Sequence, residues 1–270
     1  MATANVNGIE IFYRDIGEGF PVVLVHGYTG NSRNWALTAP ALSQHFRLIS
    51  MDLRGHGLSE KPAREEDHTY PQMAEDVYQL LVHLGVEQAY VVGHSMGGRV
   101  VQDLVLARPR MFKALVLVDT MGEYVPARRE EMLRLTEFAR KNGMEDTFDE
   151  HVATSALTGR LDENAAFVKI WREQFLMTSL EAYIGCITTA LNQEPTLPRL
   201  PGLALPSLVI CGSNDEPFLG PTRRLHEALS GSEYVIVDDC GHSPQLEKPG
   251  EFNALLMGFL TRVHEGAGVA

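Results

Sequence analysis

Ser95, Asp215 and His242 are the residues whose types and settings suit nucleophilic chemistry. Ser95 lies in Gly93-His94-Ser95-Met96-Gly97, straight after the apolar run Ala89-Tyr90-Val91-Val92. A buried strand, a serine between two glycines and then helix-forming residues describe a nucleophile elbow. So tight a turn leaves almost no room for flanking side chains, and it lifts the serine hydroxyl above the sheet edge, where a base can reach it. Gly98 adds a third small residue, letting the following helix approach the strand closely. The pattern alone decides little: with Gly and Ser each at about 7% of residues, it arises by chance in roughly one chain in ten of this length. Its weight comes from the partners elsewhere in the chain.

A serine hydroxyl is a poor nucleophile until a base takes its proton, and the base works best when a carboxylate fixes its tautomer. Asp215 follows the apolar run Leu208–Cys211 in Gly212-Ser213-Asn214-Asp215, and His242 follows Glu233–Val237 in Asp238-Asp239-Cys240-Gly241-His242-Ser243. Each sits just beyond the carboxyl end of an expected strand, where open α/β sheets hold their ligands. Asp119 also follows a strand and is the main rival for the acid; Asp238 and Asp239 compete more weakly, and Glu216 reads as solvated. Of the other histidines, His94 reads as packing, and His26 and His56 as braces of glycine-rich turns. Acyl transfer also needs donors aimed at the developing oxyanion. The backbone N–H of Met96 is one candidate, and that of Tyr28, in His26-Gly27-Tyr28-Thr29-Gly30, is the second. That segment also reads as a plain glycine turn, and the Tyr28 ring is a candidate pocket wall.

The elements that must position these groups follow from the patterning. Ile9–Tyr13 alternates sides and reads as an antiparallel edge strand. Pro21–Val25, Phe46–Met51, Ala89–Val92, Ala114–Val118, Ser207–Cys211 and Glu233–Val237 read as strands, the continuous apolar runs among them as buried parallel ones. Tyr70–Leu84 has helical spacing and ends at Gly85; a further helix covers Arg99–Ala107. Such alternation predicts a mainly parallel sheet covered on both faces. From about Glu123 to Asn192 no strand is evident, only helical segments such as 126–142 and 164–177, closed by the proline-rich stretch 195–201. This gives an α/β core of 1–122 and 202–270 with a helical cap of 123–201. The tail 265–270 is expected to fray.

Composition narrows the partners. The 270 residues carry a formal net charge of −12, which argues against nucleic acid and anionic membrane surfaces. Three scattered cysteines without a Cys-x-x-Cys fit a reducing compartment. The N-terminus lacks a basic start and an apolar run, and no stretch reaches transmembrane length, so a soluble cytoplasmic protein is expected. Neither metal-ligand spacing nor a glycine-rich phosphate loop is evident, so no metal and no cofactor are expected. Oligomeric state, monomer or dimer, is not encoded legibly.

Together these segments resemble the α/β-hydrolase fold superfamily, over about Asn7 to Val263. The similarity is carried by Val25-His26-Gly27, by Asp52-Leu53-Arg54-Gly55-His56-Gly57-Leu58-Ser59, by Gly93–Gly98, and by Gly241-His242-Ser243-Pro244 with Glu247-Lys248-Pro249 downstream. The resemblance implies an eight-stranded sheet with a helical cap between strands six and seven, and a structural role for Asp52–Ser59 in holding neighbouring loops. It implies the order nucleophile, acid, base, as found here. Serine at position 95 sets the chain apart from the haloalkane dehalogenases and epoxide hydrolases of this fold, which use aspartate there. The oxyanion loop lacks the proline of epoxide hydrolases and the Gly-Gly-Pro-Gly of proline iminopeptidases. The chain looks like bacterial carboxylesterases, enol-lactonases, carbon–carbon bond hydrolases and perhydrolases, which share one triad.

The reading is therefore a serine hydrolase of small-molecule carboxylic esters: Ser95 as nucleophile, His242 as base and then acid, Asp215 orienting His242, and the Tyr28 and Met96 N–H groups holding the oxyanion. Cleavage of a carbon–carbon bond or a lactone, a perhydrolase side activity, and a non-catalytic ligand-binding role are the alternatives. Phe138, Phe148, Trp171, Phe175 and Met177 are apolar pocket candidates from the cap, each of which also suits cap packing. Arg99 is placed to meet an anionic substrate or to form a surface ion pair.

Overall fold

A computed structural model describes residues 1–124, 128–154 and 165–267. The strands are β1 Ala2–Val6, β2 Ile9–Ile16, β3 Pro21–Val25, β4 Arg47–Met51, β5 Ala89–His94, β6 Phe112–Val118, β7 Ser207–Gly212 and β8 Glu233–Val237. The helices are α1 Ala39–Leu42, α2 Tyr70–His83, α3 Met96–Ala107, α4 Arg129–Thr154, α5 Ala165–Leu176, α6 Leu180–Asn192, α7 Glu216–Ala228, α8 Pro244–Glu247 and α9 Pro249–Ala267. The strands form one sheet in the order β1-β2-β4-β3-β5-β6-β7-β8. Only the β1–β2 and β2–β4 pairs are antiparallel; β4, β3, β5, β6, β7 and β8 run parallel to their neighbours.

The continuous apolar strands are explained by a sheet buried on both faces. Along β3, Val23 and Val25 point into the layer containing α2 and α3, while Val22 and Leu24 point into the layer containing α9. The same period of two divides Val91 from Tyr90 and Val92, and Leu115 and Leu117 from Val116 and Val118. Helix α2 begins at a capping box: the Gln72 N–H donates to the Thr69 hydroxyl, and the Thr69 N–H donates to the Gln72 side chain.

Three expectations are corrected. Ile9–Tyr13 belongs to an antiparallel strand, but β1 lies outside it and forms the edge. The hairpin turns through Asn7 and Gly8, both at positive φ, and the mostly small, polar residues of Ala2–Val6 gave little apolar signal. Helix α3 starts at Met96, directly after the serine, rather than at Arg99. Its glycines lie inside the helix because a Cβ on Gly97 would come within 2.4 Å of the Val25 and His26 carbonyl oxygens. Between β6 and β7 there is a further helix, α6, beyond the two segments expected there. Residues 126–127, 164 and 268–270, included in the expected helices and tail, lie outside the described residues. No described helix is long and apolar enough to cross a membrane.

Candidate active site

The carboxyl ends of β3, β5, β6, β7 and β8 converge on one site. Ser95, at the end of β5, has φ 51° and ψ −118°, a conformation that L-residues adopt only under constraint. The constraint is visible: the Ser95 N–H donates to the Val118 carbonyl, and the Ser95 carbonyl accepts from the Arg99 N–H and the Thr120 hydroxyl. Serine is a favoured helix cap, yet this side chain caps nothing. It turns instead toward His242, with Oγ and Nε2 2.9 Å apart.

On the far side of the ring, Nδ1 lies 2.7 Å from Asp215 Oδ2. The carboxylate accepts a hydrogen bond from Nδ1–H, which leaves the Nε2 lone pair free to accept one from the Ser95 hydroxyl. His242 and Asp215 are both buried, and Phe218 packs against the imidazole with ring centroids 4.5 Å apart. The structure thus brings Ser95, His242 and Asp215 into one hydrogen-bonded line.

The loop after β3 lies beside the serine. A Cβ on Gly27 would sit 3.1 Å from Ser95 Cβ, so glycine permits this approach. Neither the Tyr28 nor the Met96 N–H has an acceptor among the described residues. Both adjoin the site, and the Met96 N–H opens helix α3, whose N-terminal dipole favours negative charge. His26 braces this loop: its Nδ1–H donates to the Gly27 carbonyl, and its Nε2 accepts from the Leu53 N–H. Asp52 accepts from the Ser32 and Leu58 N–H groups, so the 52–59 turn ties the two loops together.

Two supporting residues carried no role in the sequence reading. Glu247 accepts from the N–H groups of Gly241 and Ser243, clamping the backbone on both sides of His242. Its signal was its place in Glu247-Lys248-Pro249, five residues beyond His242. His94, expected only to pack, donates its Nε2–H to the His242 carbonyl at 2.7 Å. Burial holds its pKa down at about 3, so it remains a neutral donor.

A cavity of about 150 Å³ opens over Ser95. Tyr28, Met96, Met132, Leu135, Tyr183 and Phe218 form much of its wall, which is chiefly apolar. Of the residues put forward as pocket walls, Tyr28 is there, and its hydroxyl donates to the Tyr183 carbonyl of α6. Phe138, Trp171 and Phe175 are not on the wall. Phe175 is fully buried against Phe148 and Tyr183, with Trp171 packed edge-on to Phe148, so these rings form the cap's own core. A small inserted unit needs its large side chains to hold itself together. Phe138 is half-buried on α4, and Met177 follows α5 beside Asn31. Arg99 does reach the cavity, but its guanidinium donates to the Gly122 and Glu194 carbonyls and to Thr196 Oγ1.

Sequence spacing revealed no metal-ligand cluster, whereas in space Asp119, Asp215 and His242 bring three potential ligand atoms within 4.8 Å. Both ring nitrogens of His242 are already committed to Ser95 and Asp215, which leaves no imidazole lone pair for a cation.

Comparison with known proteins gives the fold family. The profile of the alpha/beta hydrolase fold family matches residues 21–249. Among solved structures, the enol-lactonase of Burkholderia xenovorans LB400 superposes with a TM-score of 0.85 at 28% identity, covering 96% of this chain and 100% of that one. A thermophilic esterase from Thermogutta terrifontis gives a TM-score of 0.87 at 26% identity, with 97% and 98% covered. The 2-hydroxy-6-oxo-6-(2'-aminophenyl)hexa-2,4-dienoic acid hydrolase of Metapseudomonas resinovorans is 25% identical over 280 residues, spanning 96% of this chain and 90% of that protein.

Proposed function

Since the chain belongs to the α/β-hydrolase fold family, we propose that it is a serine hydrolase that cleaves small-molecule carboxylic esters through an acyl-enzyme. The observation that carries this reading is the line Ser95 Oγ–His242 Nε2–Asp215, with links of 2.9 and 2.7 Å. Ser95 attacks the ester carbonyl as its proton passes to His242 Nε2. The new imidazolium is stabilised by Asp215, and the tetrahedral oxyanion is held by the Tyr28 and Met96 N–H groups. His242 then protonates the leaving alcohol. Water, activated by the same imidazole, clears the acyl group and restores Ser95.

The small apolar cavity favours short or medium acyl groups. A lactone is a cyclic ester and passes through the same steps, so lactonase activity is the nearest second reading; one structural relative is an enol-lactonase. Carbon–carbon hydrolysis of a carboxylate-bearing substrate fits less well, because Arg99 already gives three hydrogen bonds to protein oxygens and its charge is paired with Asp103. Three free, buried cysteines support the cytoplasm as its compartment.

The test is hydrolysis of p-nitrophenyl esters from acetate to decanoate by wild type and Ser95→Ala. Turnover with a short-chain optimum that the substitution abolishes supports the proposal. Turnover of a vinylogous diketo acid but of no ester overturns it in favour of carbon–carbon cleavage.

A further inference from the structure

Asp119, at the end of β6, is fully buried yet takes no part in the mechanism above. Its backbone is held at φ 42°, an unusual conformation for a non-glycine residue, and its N–H donates to the Ile210 carbonyl. One carboxyl oxygen, Oδ1, accepts from the Gly212 N–H at 2.9 Å. The other, Oδ2, is buried without a hydrogen-bond partner if Asp119 is ionised. Asp215 presents the mirror image. Its Oδ2 accepts from His242, and its Oδ1 is also buried without a donor. A carboxyl oxygen of each aspartate and a ring nitrogen of His242 all lie within 4.8 Å of one another. Two ionised carboxylates have no proton to share, and each leftover oxygen would then be an uncompensated buried acceptor.

We infer that Asp119 is a neutral carboxylic acid whose Oδ2–H donates to Asp215 Oδ1, making it the positioning residue of the triad acid. One proton satisfies both leftover oxygens. The pair then carries a single negative charge, on the member that faces the His242 Nδ1–H. The bond fixes the rotation of the Asp215 carboxylate so that Oδ2 stays aimed at the imidazole. The groups facing Asp119 weigh toward this assignment: burial first, and Asp215 after it, push its acidity down, against smaller opposing hydrogen bonds from the Gly212 N–H and the Cys211 thiol. Like charges at such range do not both ionise in a dry site.

This inference rests on Asp215 being the triad acid, so its test is split into two readouts. The first needs no substrate. In infrared spectra of the folded protein at neutral pH, wild type minus Asp119→Asn is expected to show the carbonyl stretch of a protonated carboxylic acid. Absence of that band overturns the inference, whatever the enzyme cleaves. The second is kinetic. Asp119→Asn keeps an N–H toward Asp215 and an oxygen toward Gly212, so kcat should stay within about threefold and the acid limb of the pH–rate profile should not move. Asp119→Leu removes both bonds and should lower kcat about tenfold or more with little change in KM. A downward shift of the acid limb by about one pH unit in Asp119→Asn would mean that a negative charge had been lost, and would overturn the inference. Equal kcat in wild type and Asp119→Leu would also overturn it. Failure of the ester-hydrolase reading is separately visible, as undiminished turnover by Ser95→Ala.

Discussion

The loops at the carboxyl end of the sheet and the helical cap above them are held by different forces. In the loops, polar groups are tied to named partners: Ser95 to Val118 and Thr120, His242 to Asp215 and His94, the His242 backbone to Glu247. In the cap, the stabilising contacts are mostly rings and aliphatic chains, with Phe148, Phe175 and Tyr183 at the centre. Polar ties also join the two, among them the Tyr28 hydroxyl on the Tyr183 carbonyl, the Ser179 N–H on the Gly55 carbonyl, Arg99 on Glu194 and Thr196, Gln193 on Asp103 and the Arg140–Glu65 ion pair. Directional bonds hold reacting atoms to fractions of an ångström, whereas apolar packing sets shape and tolerates exchange. On the proposed function the loops carry the chemistry, and the cap supplies part of the cavity wall through Met132, Leu135 and Tyr183.

Substitutions in the two regions should therefore fail in different ways. The largest loss is expected from His242→Ala, about 10⁶-fold in kcat by the behaviour of other serine hydrolases, with the thermal transition little changed. Steady-state kinetics and a melting curve read both. Phe175→Ala should cost about 3–5 kcal/mol of packing in the cap. Ester turnover should collapse through KM while a small phosphonylating reagent still reacts with Ser95; loss of that reaction would show that the cap holds the nucleophile, against the division drawn here. Glu247→Ala leaves the Gly241 and Ser243 N–H groups without their acceptor, at about 1–3 kcal/mol each. It should lower kcat about tenfold and leave the chain-length preference unchanged.

Acid should loosen the loop end of the molecule before the cap. Burial depresses the pKa of His26 to about 4, and of His56 and His94 to about 3, from an ordinary value of 6.5. The unfolded chain takes up these protons first, so the stability they represent is complete above pH 6.5 and is lost as the pH falls toward 4 and below. Melting temperature measured across that window should fall steadily; a flat profile would contradict buried neutral imidazoles in the loops.

The same division governs what the sequence discloses. The site was legible because its parts need particular atoms at particular strand ends: Ser95 between Gly93 and Gly97, Asp215 after β7, His242 after β8. The parallel strands were legible from apolar runs that have no other use in a chain of this composition. β1 was not, since an edge strand with one solvated face needs little hydrophobicity. The cap pocket was misread because an aromatic ring suits a cap core and a cavity wall equally, and only packing decides between them: Phe175 went to the core and Tyr28 to the wall. The pairing of Asp119 with Asp215 was illegible for another reason. It joins the ends of two strands 96 residues apart (119 to 215) that become neighbours only through the sheet order.

The account turns on Ser95 being an activated nucleophile, and covalent capture tests that directly. Folded protein is treated at neutral pH with a small fluorophosphonate and analysed by intact and peptide mass spectrometry. The account predicts one adduct per chain, on the peptide containing Ser95, and none in Ser95→Ala. An unmodified wild type, or an adduct that persists in Ser95→Ala, would contradict it.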